Sequence, residues 1–387
     1  MNTSKLIYLD HNATTPLDPR VLEEMLPYFG DKFGNASSTH HPFGWDAEEA
    51  VEIARERISS LIGAKANEIY FTSGATEAVN LALLGLFEGF SKPSHIITCS
   101  TEHKVVLDTC NHLEKLGHEV SYLAVNDNGS IDLANLEKEI RPNSKAICLM
   151  HANNETGLIH PLEEIGAFAK ANGLVFITDA TQSLGKINLD LAKFQLDMAA
   201  FSAHKIYGPK GIGALFIKQK IASKISPQLF GGGQQKGIRP GTLNIPGIVG
   251  LGKACEIGKK EMEEESKRLS QLKFLLENEM RNIGGIKINA EKSPRLPNTS
   301  NLSIKNIDGS KLIRSLKKLA ISQGSACNSG SFKPSHVLHA MGIEDELAMS
   351  SIRIGIGRFT KEEDILIAIE EIKTAIHKLR TVEHERA

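Results

Sequence analysis

Cysteine is scarce in this 387-residue chain. Its five cysteines, at positions 99, 110, 148, 255 and 327, form an odd set with no CxxC pair. That spacing argues against a disulfide framework and against a structural zinc site. An excess of charge is missing too: 45 Lys and Arg face 46 Asp and Glu, for a formal net charge of −1. Without a basic block there is no electrostatic case for nucleic acid or a membrane surface as partner. No apolar run approaches the roughly 18 residues that a membrane span requires. The opening, MNTSKLIYLDHNATTP, lacks the apolar core of a signal peptide and the arginines of a transit peptide, so the expected location is the cytoplasm. GxxxxGK[ST], GxGxxG and HExxH are all absent, which leaves no P-loop, dinucleotide fingerprint or zinc-protease motif. The pair in HVLH, at 336–339, reads as a helix face rather than a metal site.

What is present is alternation. From about residue 45 to 217, short apolar runs such as HIITCS, KAICLMH and LVFITDA are separated by amphipathic helical patterns such as EHKVVLDTCNHLEKLG. Continuous apolar strands between such helices indicate a mainly parallel α/β sheet covered on both faces. Cys99 and Cys148 lie in the apolar runs and Cys110 and Cys255 in helical patterns, so all four read as core. A Gly-rich stretch, FGGGQQKGIRPGTLN, precedes a long helical pattern that reaches about residue 281 and whose charged middle reads as a solvated face. Beyond it, IKINA, TSNLSIK and SIRIGIG read as strands, with helices at SKLIRSLKKLA and KEEDILIAIEEIKTAIHKLR: a smaller α+β domain.

In parallel sheets, ligands bind beyond the carboxyl ends of the strands. Four such ends carry chemistry here. FTSGATEAVN offers the backbone N–H groups of Ala75 and Thr76, with the Thr76 hydroxyl, at the start of a helix, where a phosphate is stabilised. ITDATQSLG ends a buried run on Asp179, with Gln182 three residues on. FSAHKIYGPKG supplies Ser202, His204 and Lys205, and CSTEHK supplies His103. Each has an ordinary reading when taken alone, as a turn, a cap or a solvated charge. Together they fit pyridoxal phosphate, which needs a lysine for covalent attachment and an acid for its pyridinium nitrogen. It also needs a phosphate cradle, a donor beside its phenolic oxygen and a flat group against the ring. Cys327 stands apart from the other cysteines, in GSACNSGS, where nothing could pack around it.

YLDHNATTPLDPRV, FGNASSTHHPFG, FTSGATEAVNLAL, MHANNETG, DATQSLGK, AHKIYGPKGIGAL, GGGQQKGIRPGTLN and GSACNSGSFKPSHVLHAMG run in order along nearly the whole chain. In these motifs it resembles the cysteine desulfurases of the NifS/IscS type, class V aminotransferase-like enzymes. The resemblance implies the α/β fold of PLP-dependent transferases of fold type I: a large domain with a mainly parallel seven-stranded sheet, and a smaller α+β domain. It places the large PLP-binding domain at 17–258. The small C-terminal domain takes 1–16 and 259–387 and carries the mobile cysteine loop at about 322–335.

The resemblance also implies roles. Lys205 carries the cofactor, His103 stacks on the ring and shuttles protons, and Asp179 and Gln182 hold the ring edge. Ala75, Thr76, Ser202 and His204 bind the phosphate, joined by Thr242 of a second subunit, which implies a homodimer. Asn154 and Arg353 hold the carboxylate of the L-cysteine substrate, with Asn154 also beside the cofactor. Cys327 takes the sulfur as a persulfide, leaving alanine, and passes it to a protein acceptor such as an iron–sulfur scaffold. That role accounts for a thiol among Gly324, Ser325, Ser329, Gly330 and Ser331, a stretch free enough to reach a pocket and swing out again.

Two features depart from the pattern. Ala203 stands where relatives often have Gly, a change the turn should tolerate. The chain also ends soon after AIHKLRTVEHERA, short of the tail by which housekeeping relatives dock their scaffold, which leaves the acceptor open. The rival readings are another small-amino-acid aminotransferase or lyase, a selenocysteine lyase, and a non-catalytic scaffold.

Overall fold

The computed structural model of the chain describes residues 6–323 and 334–384. Cys327, on which the sulfur-acceptor role was placed, lies outside the described residues. Twelve strands run through the described residues: β1 (Ile7–Tyr8), β2 (Ile69–Thr72), β3 (His95–Cys99), β4 (Glu119–Leu123), β5 (Ser144–Cys148), β6 (Val175–Asp179), β7 (Met198–Ser202), β8 (Gly213–Ile217), β9 (Ile286–Ile288), β10 (Thr299–Ile304), β11 (Leu319–Ala320) and β12 (Ser351–Gly355).

β2 to β8 form one seven-stranded sheet in the order β2-β8-β7-β6-β5-β3-β4. Only β8 runs against its neighbours, β2 and β7; every other pair is parallel. This is the mainly parallel seven-stranded sheet expected. The apolar runs are continuous because both faces are covered. Successive residues of one strand enter opposite cores: Ala199 and Phe201 pack with helices Pro42–Ile62 and Ile245–Arg281. Met198 and Ala200 pack with helices Ala75–Phe87 and Lys104–Lys115. The alternation is the two-residue period of a strand, with apolar partners on each side.

Helix Ile245–Arg281 joins two cores. Ile248, Leu251 and Ala254 pack under the large sheet, and Leu269, Leu272, Leu276 and Met280 under a second, antiparallel sheet of order β12-β10-β9. The charged stretch between them faces solvent, as its composition implied. The N-terminal segment straps the two parts together. β1 pairs with β11, Asp10 bridges to Gly355, and Thr15 N–H donates to the His204 carbonyl. The helical pattern expected over SKLIRSLKKLA stops early, at Ser315, because Leu316 leaves the helical backbone and Leu319–Ala320 pair with Ile7–Tyr8. A two-residue strand is too short to show a period, so tertiary pairing overrode local propensity there.

Candidate active site

The carboxyl ends of β2, β3, β5, β6 and β7 all open on one edge of the large sheet. After β2 the chain turns at Gly74 into helix Ala75–Phe87, whose N-terminus has no side-chain cap. A Cβ built on Gly74 would lie 3.9 Å from Ser202 Oγ, between the helix start and that hydroxyl. β8 presses so closely that a Cβ on Gly213 would come within 2.7 Å of Gly74 Cα, so only glycine fits at 213. The result is a small concave site lined by helix N–H groups and the buried Ser202 hydroxyl, suited to a phosphate. His204 Nδ1 lies 3.1 Å from Thr14 Oγ1 beside it. Burial, with Lys205, Lys210 and Lys186 nearby, pulls the His204 imidazole down to about 4.

At the end of β6, buried Asp179 accepts from Thr181 N–H through Oδ1 (2.9 Å). Gln182 Nε2 donates to the Asn12 carbonyl (3.0 Å), and Lys186 Nζ donates to Gln182 Oε1 (2.7 Å). Lys205 follows β7 on a single tight turn, and its Nζ donates to the carbonyls of Asn12 (2.7 Å) and Ala13 (2.6 Å). Lysine and amide thus converge on the N-terminal strap, with Asp179 at the end of the neighbouring strand.

His103 caps helix Lys104–Lys115, accepting from Val105 N–H through Nδ1 (3.2 Å), which puts the proton of the neutral ring on Nε2. Burial lowers its proton affinity; Lys205 and His336 add to this, and Asp179 and Glu155 oppose it. Behind it, fully buried Glu102 accepts from Met150 N–H (2.8 Å) while its Oε2 has no partner; burial raises its pKa far above the carboxylate range.

The small sheet contributes Arg353, mid-strand in β12 and 4% exposed. Its Nη1 donates to the Asn154 carbonyl (3.0 Å), and its Nη2 pairs with Asp10 Oδ1 (2.8 Å). Asp10 Oδ1 also accepts from Ser322 Oγ (2.9 Å). At residue 335, Ser335 Oγ donates to the buried Glu155 carboxylate (2.5 Å), and His336 Nε2 reaches the Glu102 carbonyl (2.9 Å). Asn154 therefore sits beside Arg353, with its backbone as the contact. Thr242 is exposed, on a segment tethered by Arg239 to Glu77 in the first turn of helix Ala75–Phe87.

Residue-type reasoning missed Asp10, the Asn12 and Ala13 carbonyls, Glu102, Lys186 and the Ser335–Glu155 contact. Asp10 and Lys186 stood within quoted motifs, YLDHNATTP and DATQSLGK, and their charge in otherwise buried segments was the available signal. The four described cysteines are all buried, with burial pushing their thiols up, to about 11 for Cys99 and about 12 for Cys110. None of those four is poised as a nucleophile.

The residues fit pyridoxal phosphate: the glycine-walled cradle has room for a phosphate, and the donor set has an amine, a buried carboxylate and an oriented amide. The family model "Aminotransferase class-V" matches residues 7–367. The chain is 50% identical over 377 residues to the cysteine desulfurase IscS of Photorhabdus laumondii, covering 97% of this chain and 93% of that protein. It is 47% identical over 376 residues to IscS of Anaeromyxobacter dehalogenans, at the same coverage. Among solved structures, a NifS-like protein superposes with a TM-score of 0.89 at 37% identity, covering 97% of this chain and all of that one. The structure of SspA in complex with cysteine superposes with a TM-score of 0.81 at 38% identity, covering 92% of this chain and all of that one. Among the described residues, no helix is long and apolar enough to cross a membrane.

Proposed function

The chain belongs to the class-V aminotransferase family, and from that premise we infer that it is a pyridoxal-phosphate-dependent cysteine desulfurase. It converts L-cysteine to L-alanine and an enzyme-bound persulfide. The observation that carries this reading is the convergence of Lys205, Asp179, Gln182 and the Gly74 cradle on one sheet edge, with a buried arginine facing them from the second sheet. Its agreement with relatives about half identical over nearly the whole chain supports the substrate class.

When bound, the cofactor supplies an electron sink for the pair left behind as the substrate's α-proton departs. Lys205 would hold the cofactor in the resting enzyme and Asp179 would keep its ring nitrogen protonated. Ala75, Thr76, Ser202 and His204 would hold the phosphate, and Gln182 would donate to the ring oxygen. His103, with its proton on Nε2, would move protons. Arg353 takes the substrate carboxylate in place of some of its present contacts, with Asn154 beside it. The Cys327 thiolate attacks the substrate Sγ: the S–S bond forms, the Cβ–Sγ bond breaks, and its electron pair passes to the carbon that a proton then converts to the alanine methyl. Thr242 completes the phosphate site of a partner subunit, which makes the working unit a homodimer. The persulfide then passes to a protein acceptor, an iron–sulfur scaffold in the IscS-like reading, in the cytoplasm.

The test is the Cys327→Ser variant. It should keep the visible absorbance of the cofactor and a spectral response to cysteine, yet form no persulfide and release alanine at well under 1% of the wild-type rate, since a serine hydroxyl is a poor nucleophile toward sulfur. Wild-type rates of alanine production from Cys327→Ser would move the assignment to a lyase.

A further inference from the structure

One half-buried cation beside the site has no part in the chemistry just described. Lys186 lies three residues beyond Ser183 on the turn that follows β6, and its Nζ donates to Gln182 Oε1 (2.7 Å). The same Gln182 amide donates through Nε2 to the Asn12 carbonyl, and that carbonyl also accepts from Lys205 Nζ. Two lysines are thus joined through one amide and one carbonyl. An amide can be turned either way round unless a partner distinguishes its ends. An ammonium is a donor only, so it fixes oxygen toward Lys186 and nitrogen toward the strap and the proposed ring.

We propose that Lys186 is a positioning residue of the reaction: it sets the orientation of the Gln182 amide, and its charge weakens the hold of Lys205 on a proton. The proposal rests on the reading of Lys205 and Gln182 given above. The electrostatic surroundings agree with it. Lys205 and Arg353 face Lys186 and repel it, Glu265 attracts it, and His11 and His204 lie within its field. Burial first, and these like charges second, bring the Lys186 amine down to about 7 from 10.5. A group so placed is charged below neutrality and gives up its charge just above it, so its influence is largest in the lower part of the working range.

The experiment is a pH titration of the cofactor's visible band in reconstituted protein without substrate, on wild type, Lys186→Met, Lys186→Gln and Lys186→Arg. Removing the charge should raise the midpoint by about one pH unit in the Met and Gln variants. The Arg variant, which keeps charge and donor at every pH, should have a midpoint at or below that of wild type. The Gln variant retains a donor for Gln182 and should keep cofactor affinity, whereas the Met variant should lose about tenfold in it. If the Met variant does not fold, the Gln and Arg pair still decides the charge effect. An unmoved midpoint in folded Lys186→Gln, with Lys205-linked cofactor trapped normally by borohydride, overturns this proposal alone. A borohydride-reducible link surviving in Lys205→Ala would instead overturn the reading on which it rests.

Discussion

The two halves of the site are held by different means. On the large sheet the central candidates follow strand ends within a few residues: Gly74 after β2, His103 after β3, Asp179 at the end of β6, Lys205 after β7. Their positions are set by the backbone of a parallel sheet buried on both faces. On the small sheet, Arg353 sits in the middle of β12, opposite Asn301 in register and bridged to Ser322. Its guanidinium is aimed by side-chain and loop partners, Asp10 and the Asn154 carbonyl. Position fixed by backbone is robust to loss of one side chain; position fixed by an ion pair is not. This difference predicts where the molecule breaks chemically and where it breaks structurally.

The largest effect should come from the backbone-defined half, and it should be purely chemical. Lys205→Ala removes the attachment point while leaving its turn in place, so activity should fall by about a thousandfold or more and the visible band should vanish. The thermal midpoint of the apoprotein should hardly change. A large drop in that midpoint would show that Lys205 Nζ, through the Asn12 and Ala13 carbonyls, is also a structural tie for the strap.

The second effect separates the halves by pH. His151 and His160 lie behind the strand ends, both buried, with His151 N–H donating to the Asp179 carbonyl and His160 N–H to the His151 carbonyl. Burial pulls both imidazoles down to about 4 from 6.5, and for His151 the neighbouring His160 adds to it. Between those values the unfolded chain takes up protons that the native state refuses. Stability should therefore fall as pH drops from about 6.5 to 4, by on the order of 3 kcal/mol per imidazole at the lower end. Hydrogen exchange should show β5 and β6 loosening before β10 and β12. The reverse order, or a flat stability profile across that window, would contradict this assignment.

The same contrast explains what could be read from the sequence. Apolar runs alternating with amphipathic helices gave the parallel sheet, and the rule that ligands sit beyond strand ends then singled out Asp179, Lys205, His103 and the Gly74 turn. Arg353 drew attention only through resemblance, because a mid-strand arginine has no positional signature; its partner Asp10 is 343 residues away in sequence. Nor could the Asn12 and Ala13 carbonyls be found, since a backbone acceptor has no residue-type signal. The β1–β11 pairing was lost for a related reason: two residues show no period.

The third prediction tests the ion-paired half directly. Asp10→Asn leaves the Arg353 guanidinium, already without a partner at Nε, buried and short of its counter-charge. The cost should be about 2–4 kcal/mol in a denaturant titration. Arg353→Met combined with Asp10→Asn should recover part of it, because the unpaired buried charge is then gone. A loss below about 0.5 kcal/mol for the single variant would mean that Arg353 is held by strand register alone and that the two halves do not differ.

The smallest effect belongs to an ion pair placed beside a backbone-defined feature. Glu77, in the first turn of helix Ala75–Phe87, accepts from Arg239 Nε (2.6 Å) and from Ser73 N–H (2.7 Å). Burial pushes its carboxyl up, but the bonds from Arg239 and Ser73 outweigh that, and the net direction is down. A carboxyl lowered in the native state stabilises it above the unfolded value near 4.5, and that contribution is lost as pH falls through the lower native value. Both partners are about one-fifth exposed, so solvent screens the pair and its worth is about 1 kcal/mol or less at neutral pH. Because the cradle is shaped by the Gly74 turn and the close approach of Gly213, Glu77→Gln should leave cofactor affinity within about twofold. It should cost about 1 kcal/mol at pH 7, a cost that shrinks as pH falls through the lowered native value and the native carboxyl is itself protonated. A tenfold loss of cofactor affinity in Glu77→Gln would place the pair inside the phosphate site, and the strand-end half would then depend on side-chain charge as Arg353 does.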